Sequence, residues 1–226
     1  MSGLVLHAPA PASVRLIECS PPSWMVELCM REKQLDYAVD VLDFAKGEHR
    51  SPAMLARNPR GTVPVLSDGE AHVYETFAIL EYLEWAYPEP PLLPTGAVAR
   101  ARALSRLHES EALKSAGMAA FAYLMRNPDP DPATLAGLRG TLLEEIGRWE
   151  QRLGDGGGPW ISGERLGLAD LSVFTYLATA EHLGLELASF PALDEFVRRM
   201  RARPSVRATW PALWQDDRYR WLTASS

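Results

Sequence analysis

The sequence predicts an α/β N-terminal half joined to an all-helical C-terminal half. Three observations carry this. Short strand-like runs alternate with helical runs up to residue 88. A proline-rich stretch follows, Pro88-Glu89-Pro90-Pro91 with Pro94. Beyond it the apolar residues recur at helical spacing and no strand is needed.

The elements follow in order. Met1 to Ala12 is an Ala/Pro mix without early Lys or Arg, which lacks the charged and apolar regions of a signal peptide and reads as a flexible tail. Val14 to Ile17 reads as a strand, broken by Ser20-Pro21-Pro22-Ser23. Trp24 to Lys33 reads as a helix with Met25, Leu28 and Cys29 on one face, and Tyr37 to Leu42 as a second strand, giving a β-α-β unit. Asn58-Pro59-Arg60-Gly61 is a turn. Val63 to Leu66 and His72 to Tyr74, around Asp68-Gly69, read as a β-hairpin. Thr76 is placed to cap a helix bearing Ile79, Leu80, Leu83 and Tyr87, which stops before Pro88.

In the second half, Leu135, Leu138, Leu142, Ile146, Trp149 and Leu153 step by three or four over roughly five turns. Met118, Phe121 and Met125 do so over a shorter span. Leu168 to Leu183, apolar nearly all round, reads as a buried helix, and Pro191 opens another with Leu193, Phe196, Val197 and Met200 inside. The expected organisation is a tail (1–12), an α/β domain (13–88), a linker (89–96) and a helical domain with an aromatic tail (97–226).

The chain has 226 residues and a net charge of −6 with no Lys/Arg block, which argues against nucleic acid or anionic membrane as partners. No run reaches the ~18–20 apolar residues of a membrane span. Two cysteines make no disulfide framework, so the expected compartment is the cytoplasm. Scattered histidines without a His-Glu-x-x-His motif give no metal site.

Five segments in this order resemble the cytosolic glutathione transferases: Lys46–Pro52, Leu55–Leu66, Glu75–Leu83, Tyr87–Pro94, and Trp160–Glu164 with Leu168–Asp170. The match covers about residues 14 to 210. The resemblance implies a thioredoxin-like N-terminal domain, an all-α C-terminal domain, glutathione as co-substrate and a homodimer.

It also implies a site. The Val63-Pro64 bond would be cis, offering backbone groups to the cysteinyl unit of glutathione. Thr76, at a helix N-terminus, would hold the γ-glutamyl carboxylate, and Glu75 its ammonium. His49 and Arg50 match the phi-type basic pair for the glycyl carboxylate, and Thr62 adds a contact. Ser20 falls on the zeta- and phi-type serine that stabilises the thiolate. Cys19 lies near the cysteine of beta and omega types, and both stay open as the catalytic group. Trp24, Met118, Phe121, Tyr123 and Met125 are candidates for the hydrophobic substrate site.

The departures are informative. Pro22 removes the C-x-x-C dithiol. Met25-Val26-Glu27 replaces the zeta-type arginines, which speaks against maleylacetoacetate isomerisation. Gly167 stands at the central-helix cap, where Asp170 is expected to bond the cap backbone as a structural acid. The expected activity is thiolate attack on a small hydrophobic electrophile. The alternatives are glutathione-dependent isomerisation, dehalogenation or ether cleavage, a Cys19-based thiol transferase, and a non-catalytic partner-binding subunit.

Overall fold

The computed structural model describes residues 3–13, 19–155 and 158–214. The chain divides into two compact units: residues up to Leu93 together with the segment from Arg203, and Pro94–Ala202.

The first unit is built on a four-stranded sheet of order β2-β1-β3-β4. Its strands are β1 (Leu4–Pro9), β2 (Ala38–Leu42), β3 (Val65–Asp68) and β4 (Ala71–Tyr74). β1 runs parallel to β2 and antiparallel to β3, and β3 and β4 form the expected hairpin. Gly69 turns it at φ +57, a value that suits glycine. β1 therefore occupies residues assigned above to a tail. It is buried on both faces, with Leu4, Leu6 and Ala8 on one and His7 and Pro9 on the other, as befits a central strand. The strand expected at Val14–Ile17 lies outside the described residues.

Leu4, Leu6 and Leu66 share one face of the sheet with α1 (Pro21–Glu32) and α3 (Thr76–Ala86). On the other face Leu42, Met54 and Val65 form a small core, with Met54 supplied by α2 (Pro52–Arg57). That face also carries a polar row across all four strands. His7 Nδ1 meets Asp40 Oδ2 at 2.7 Å, His7 Nε2 meets Ser67 Oγ at 2.9 Å, and Ser67 Oγ meets His72 Nδ1 at 2.9 Å. His7 and Asp40, like Ser67 and His72, are register partners. With Nδ1–H given to the carboxylate, the Ser67 hydroxyl donates to His7 and accepts from His72. Every polar atom facing the row is then satisfied.

α1 and α3 are joined by a buried ion pair. Lys33 Nζ lies 2.7 Å from Glu84 Oε2, and the side chains are 0% and 2% exposed. Lys33 also donates to Pro90 O at 2.9 Å. Glu84 accepts from the backbone N–H groups of Leu92 and Leu93 at 3.0–3.1 Å. The pair thus ties both helices to the chain that leaves the unit.

The segment from Arg203 lies along α1 rather than within the helical unit, which corrects the 97–226 domain. Arg203 Nε and Nη2 donate to the two oxygens of Glu32 at 2.6 Å each, and Ser205 Oγ donates to the same carboxylate. α8 (Pro204–Thr209) packs on α1 from there.

The second unit contains α4 (Ala97–Arg126), α5 (Pro132–Gly154), α6 (Leu168–His182) and α7 (Pro191–Arg201). α6 is buried from Leu168 to Thr179 without interruption, and α7 buries the four residues its periodicity selects. α4 differs from expectation. It buries Ala103, Leu107, Ser110, Leu113, Ala116, Ala120 and Leu124, leaving Met118 and Met125 about 40% exposed. The core face of α4 combines Leu107, Leu113 and Leu124 with small Ala and Ser side chains, and Met118 and Met125 fall off it. Asp170 caps α6. It accepts from Gly167 N at 2.8 Å, Ile161 N at 2.7 Å and Ser162 N at 3.3 Å.

Two predictions follow from the buried charges. Lys33→Met should destabilise the protein by about 3–5 kcal/mol, because Glu84 is left buried and unpaired. Lys33→Met/Glu84→Leu should recover most of that loss in urea unfolding. Burial raises the Asp170 carboxyl to about 6, against the pull of its three N–H donors, from an ordinary value of about 3.9. Between those values the native state binds more protons than the unfolded chain. Its stabilising share is therefore complete below pH ~4 and is lost as pH rises through ~6. The stability of the native protein relative to Asp170→Asn should fall across that window and level off above it.

Candidate functional site

The register of the sheet gathers the candidate residues. Pro9 pairs with Leu42, and Val65 pairs with both His7 and Tyr74. The C-terminal ends of β1, β2 and β4 and the N-terminal end of β3 therefore share one end of the sheet. β2 leads into the His49–Arg50 segment, Val63-Pro64 leads into β3, Glu75-Thr76 follows β4, and the chain leaving β1 leads to α1.

Ser20 is the N-cap of α1. Its Oγ accepts from Ser23 N at 3.4 Å and lies 3.0 Å from Ser23 Oγ, while Pro21 and Pro22 supply the pre-set φ of the first turn. The helix thus begins three residues before the expected Trp24, because the prolines that read as a break start it. Cys19, one residue earlier, is buried. Burial, then Glu27, pushes its thiol well above the ordinary range.

Val63-Pro64 is cis. Val63 packs with Phe44 on the Leu42–Met54–Val65 core. Asn58, read above only as part of a turn, is buried and organises this loop. Its Nδ2 donates to Thr62 O at 2.8 Å and Thr62 Oγ1 at 3.0 Å, and its Oδ1 accepts from Arg60 N at 3.0 Å. Gly61 has φ +60, and a Cβ there would meet Arg50 Cγ at 3.2 Å. The 58–63 loop and the His49–Arg50 segment are thus in direct contact. His49 stacks on Phe44 with centroids 4.1 Å apart, and its Nδ1 is buried without a hydrogen-bond partner among the described residues. Arg50 is exposed.

α3 starts differently from expectation. Glu75 occupies the cap position and Thr76 is the first helical residue. Glu75 has φ 68, a conformation that costs a non-glycine residue about 1–3 kcal/mol. Its side chain makes no capping bond, so the α3 N-terminus has no side-chain cap.

Of the substrate-site candidates, Trp24 is in the first unit and buried. Its Nε1 donates to Thr209 Oγ1 at 2.9 Å, and its ring meets Trp210 and Trp214 edge-on at 5.7 and 5.4 Å. Met118, Phe121, Tyr123 and Met125 lie on α4 in the second unit. Phe121 and Tyr123 are half-buried, and Tyr123 Oη accepts from Asp131 N. Tyr219 and Trp221 of the aromatic tail lie outside the described residues. Ser23 and Asn58 escaped sequence reading. The Ser-x-x-Ser spacing at the start of α1 is the one signal that pointed to the former.

Comparison with known proteins places this geometry. The model "Glutathione S-transferase, N-terminal domain" matches residues 17–91, and "Glutathione S-transferase, C-terminal domain" matches residues 119–209. Glutathione S-transferase A of Pleuronectes platessa is 30% identical over 203 residues, covering 88% of this chain and 90% of that protein. Maleylacetoacetate isomerase of Pseudomonas aeruginosa is 33% identical over 214 residues, covering 87% and 94%. The crystal structure of a glutathione S-transferase from the Antarctic clam Laternula elliptica superimposes with a TM-score of 0.84 at 31% identity, covering 98% of both chains. A four-stranded sheet flanked by helices, followed by a helical unit and matched along nearly its whole length, makes this chain a member of the glutathione S-transferase family.

Proposed function

We propose that the protein is a glutathione transferase, in which Ser20 activates the glutathione thiol for attack on a small hydrophobic electrophile. The observation that carries this is the placement of Ser20. Its hydroxyl caps α1, and it shares one cleft with Pro9, at the C-terminal end of β1, the sheet end to which Val63-Pro64 and Thr76 also lead.

Each part of glutathione finds suitable chemistry. The backbone at Val63, outside the β3 ladder, offers an edge for the cysteinyl unit. The α3 N-terminus, with no side-chain cap, suits the γ-glutamyl carboxylate through Thr76, with Glu75 for the ammonium. Arg50, His49 and Thr62 serve the glycyl carboxylate. A free thiol has a pKa near ~8.5, and lowering it by about two units takes roughly 2.7 kcal/mol of preferential thiolate stabilisation. A hydroxyl at a helix N-terminus supplies part of that. The thiol proton passes to solvent, sulfur forms a bond to the electrophilic carbon, and the leaving group departs with its electron pair.

Transfer is favoured over isomerisation by residues 25–27. Met25 and Val26 are wholly buried, and Glu27 accepts from Tyr37 Oη at 2.8 Å, so no cation stands there. A homodimer in the cytoplasm completes the proposal. Among the described residues no helix is long and apolar enough to cross a membrane, and both cysteines are free.

Glutathione at about 100 times its dissociation constant should stabilise the protein by roughly 2.7 kcal/mol in thermal unfolding. Absence of any shift at millimolar glutathione overturns the proposal. Ser20→Ala should lower kcat/KM by about 10²–10³-fold and cost about 1 kcal/mol of stability as a lost cap. Cys19→Ala should leave turnover nearly intact, and loss of turnover in that variant alone would transfer the role to the thiol. Consistent with their burial, both native thiols should react with a disulfide reagent at neutral pH at least about tenfold more slowly than in the unfolded chain.

A further inference from the structure

The start of α1 carries two hydroxyls in contact. Ser20 Oγ lies 3.0 Å from Ser23 Oγ and 3.4 Å from Ser23 N. Ser20 is half-buried, and Ser23 is only 5% exposed. A cap oxygen ordinarily accepts from the N–H of the second or third helical residue. Here the second is Pro22, which has no N–H. Ser23, the third, therefore supplies both groups that meet the Ser20 oxygen.

The inventory of donors and acceptors gives the direction of the hydroxyl bond. A hydroxyl has one proton and two lone pairs. Among the described residues, Ser20 Oγ is the one hydrogen-bond partner of the Ser23 hydroxyl. If Ser20 donated to Ser23, the Ser23 proton would be left without a protein acceptor in the more enclosed of the two positions. Such an unmade bond costs about 1–3 kcal/mol. Ser23 therefore donates. Its N–H takes one lone pair of Ser20 Oγ and its hydroxyl takes the other. What Ser20 has left to offer a ligand is its own proton.

We propose that Ser23 is a positioning residue that holds Ser20 as a pure hydrogen-bond donor, so that the site takes glutathione as the thiolate rather than the thiol. The proposal rests on the reading of Ser20 given above and deepens it. A thiol brings a proton that needs an acceptor, and both lone pairs of Ser20 are already filled. A thiolate brings lone pairs, and Ser20 has a proton to give. Donation from Ser23 also polarises the Ser20 O–H and strengthens the bond that it makes in turn. Ser20 takes no proton from sulfur. The S–H proton leaves to solvent, its electron pair stays on sulfur, and the Ser20 O–H bond stays intact.

The test separates binding from ionisation. Bound glutathione is titrated through the ultraviolet absorbance of its thiolate, and S-methylglutathione, which has no ionisable thiol, reports binding alone. Ser23→Ala, checked for native thermal unfolding, should raise the apparent pKa of bound glutathione by about 0.5–1 unit, an about three- to tenfold loss of thiolate below that pKa. Its Kd for S-methylglutathione should stay within about twofold of native, since no thiolate bond is at stake. In a Ser20→Ala background the same substitution should move the titration by less than about 0.2 unit, because Ser23 acts through Ser20. Ser23→Thr and Ser23→Val share a shape and differ in the hydroxyl, so of the two only the Thr variant should titrate like native protein. That pair decides the matter if Ser23→Ala does not fold. A native titration in Ser23→Ala or Ser23→Val overturns the proposal, as does an equal shift in the Ser20→Ala background. If the native protein binds neither ligand, the glutathione reading falls and this proposal with it, a result distinct from native binding with a thiol indifferent to Ser23.

Discussion

The geometry of the first unit depends on the buried contact between Lys33 and Glu84. The two residues lie towards the C-terminal ends of α1 and α3, away from the N-termini that carry Ser20 and Thr76. A helix rises about 1.5 Å per residue, so a contact eight residues beyond Thr76 acts on its N-terminus through a rigid arm of roughly 12 Å. An ion pair this dry is costly to bury unless each remaining donor and acceptor is satisfied. Pro90 O takes a second Lys33 proton and the N–H groups of Leu92 and Leu93 fill the Glu84 oxygens, which offsets much of that cost. The same contact therefore fixes the spacing of the two helices and the course of the departing chain.

The sheet does the rest by topology. A β-α-β unit followed by an antiparallel hairpin returns four connections to one end of the sheet, with two helix N-termini among them. The chain carries a net charge of −6, yet this end presents partial positive charge from helix dipoles and the exposed Arg50 guanidinium. Local backbone orientation, more than net charge, decides which ion is welcome there. The positive φ of Glu75 fits the same picture. It goes with an acidic side chain that makes no capping bond, which in the proposed site leaves the α3 N-terminus to the glutathione carboxylate.

Much of this was legible in the sequence, for identifiable reasons. The hairpin was legible because Asp68-Gly69 is a turn pair between two apolar runs. α7 was legible because its apolar residues are large and sit on one face. Legibility failed where size misleads. The buried face of α4 intersperses Leu107, Leu113 and Leu124 with Ala and Ser, and those small residues have no signature in hydrophobicity. β1 was missed because six residues in an Ala/Pro context offer little alternation, and because a run nearer Ser20 competed for the role. The contacts of Asn58 with Thr62, and of Arg203 with Glu32, join residues whose meeting no periodicity encodes. The positions of Ser20, Val63-Pro64 and Thr76 were legible through their motifs, but the cap geometry of α3 was displaced by one residue.

Neighbouring positions can differ sharply in chemistry, and Cys19 and Ser20 show why. Both precede α1, and on intrinsic reactivity a thiol is the stronger nucleophile. Burial reverses the order of merit. Cys19 is enclosed beside Glu27, so its thiolate is disfavoured twice, by desolvation and by a like charge. Ser20 need never ionise. In the proposed mechanism its hydroxyl only donates to a sulfur that the helix N-terminus already favours as an anion, a task for which a neutral group suffices. In the proposed mechanism a chain with cysteine and serine side by side therefore follows serine-type chemistry, because Ser20 stays half-buried at the helix start while the packing encloses Cys19.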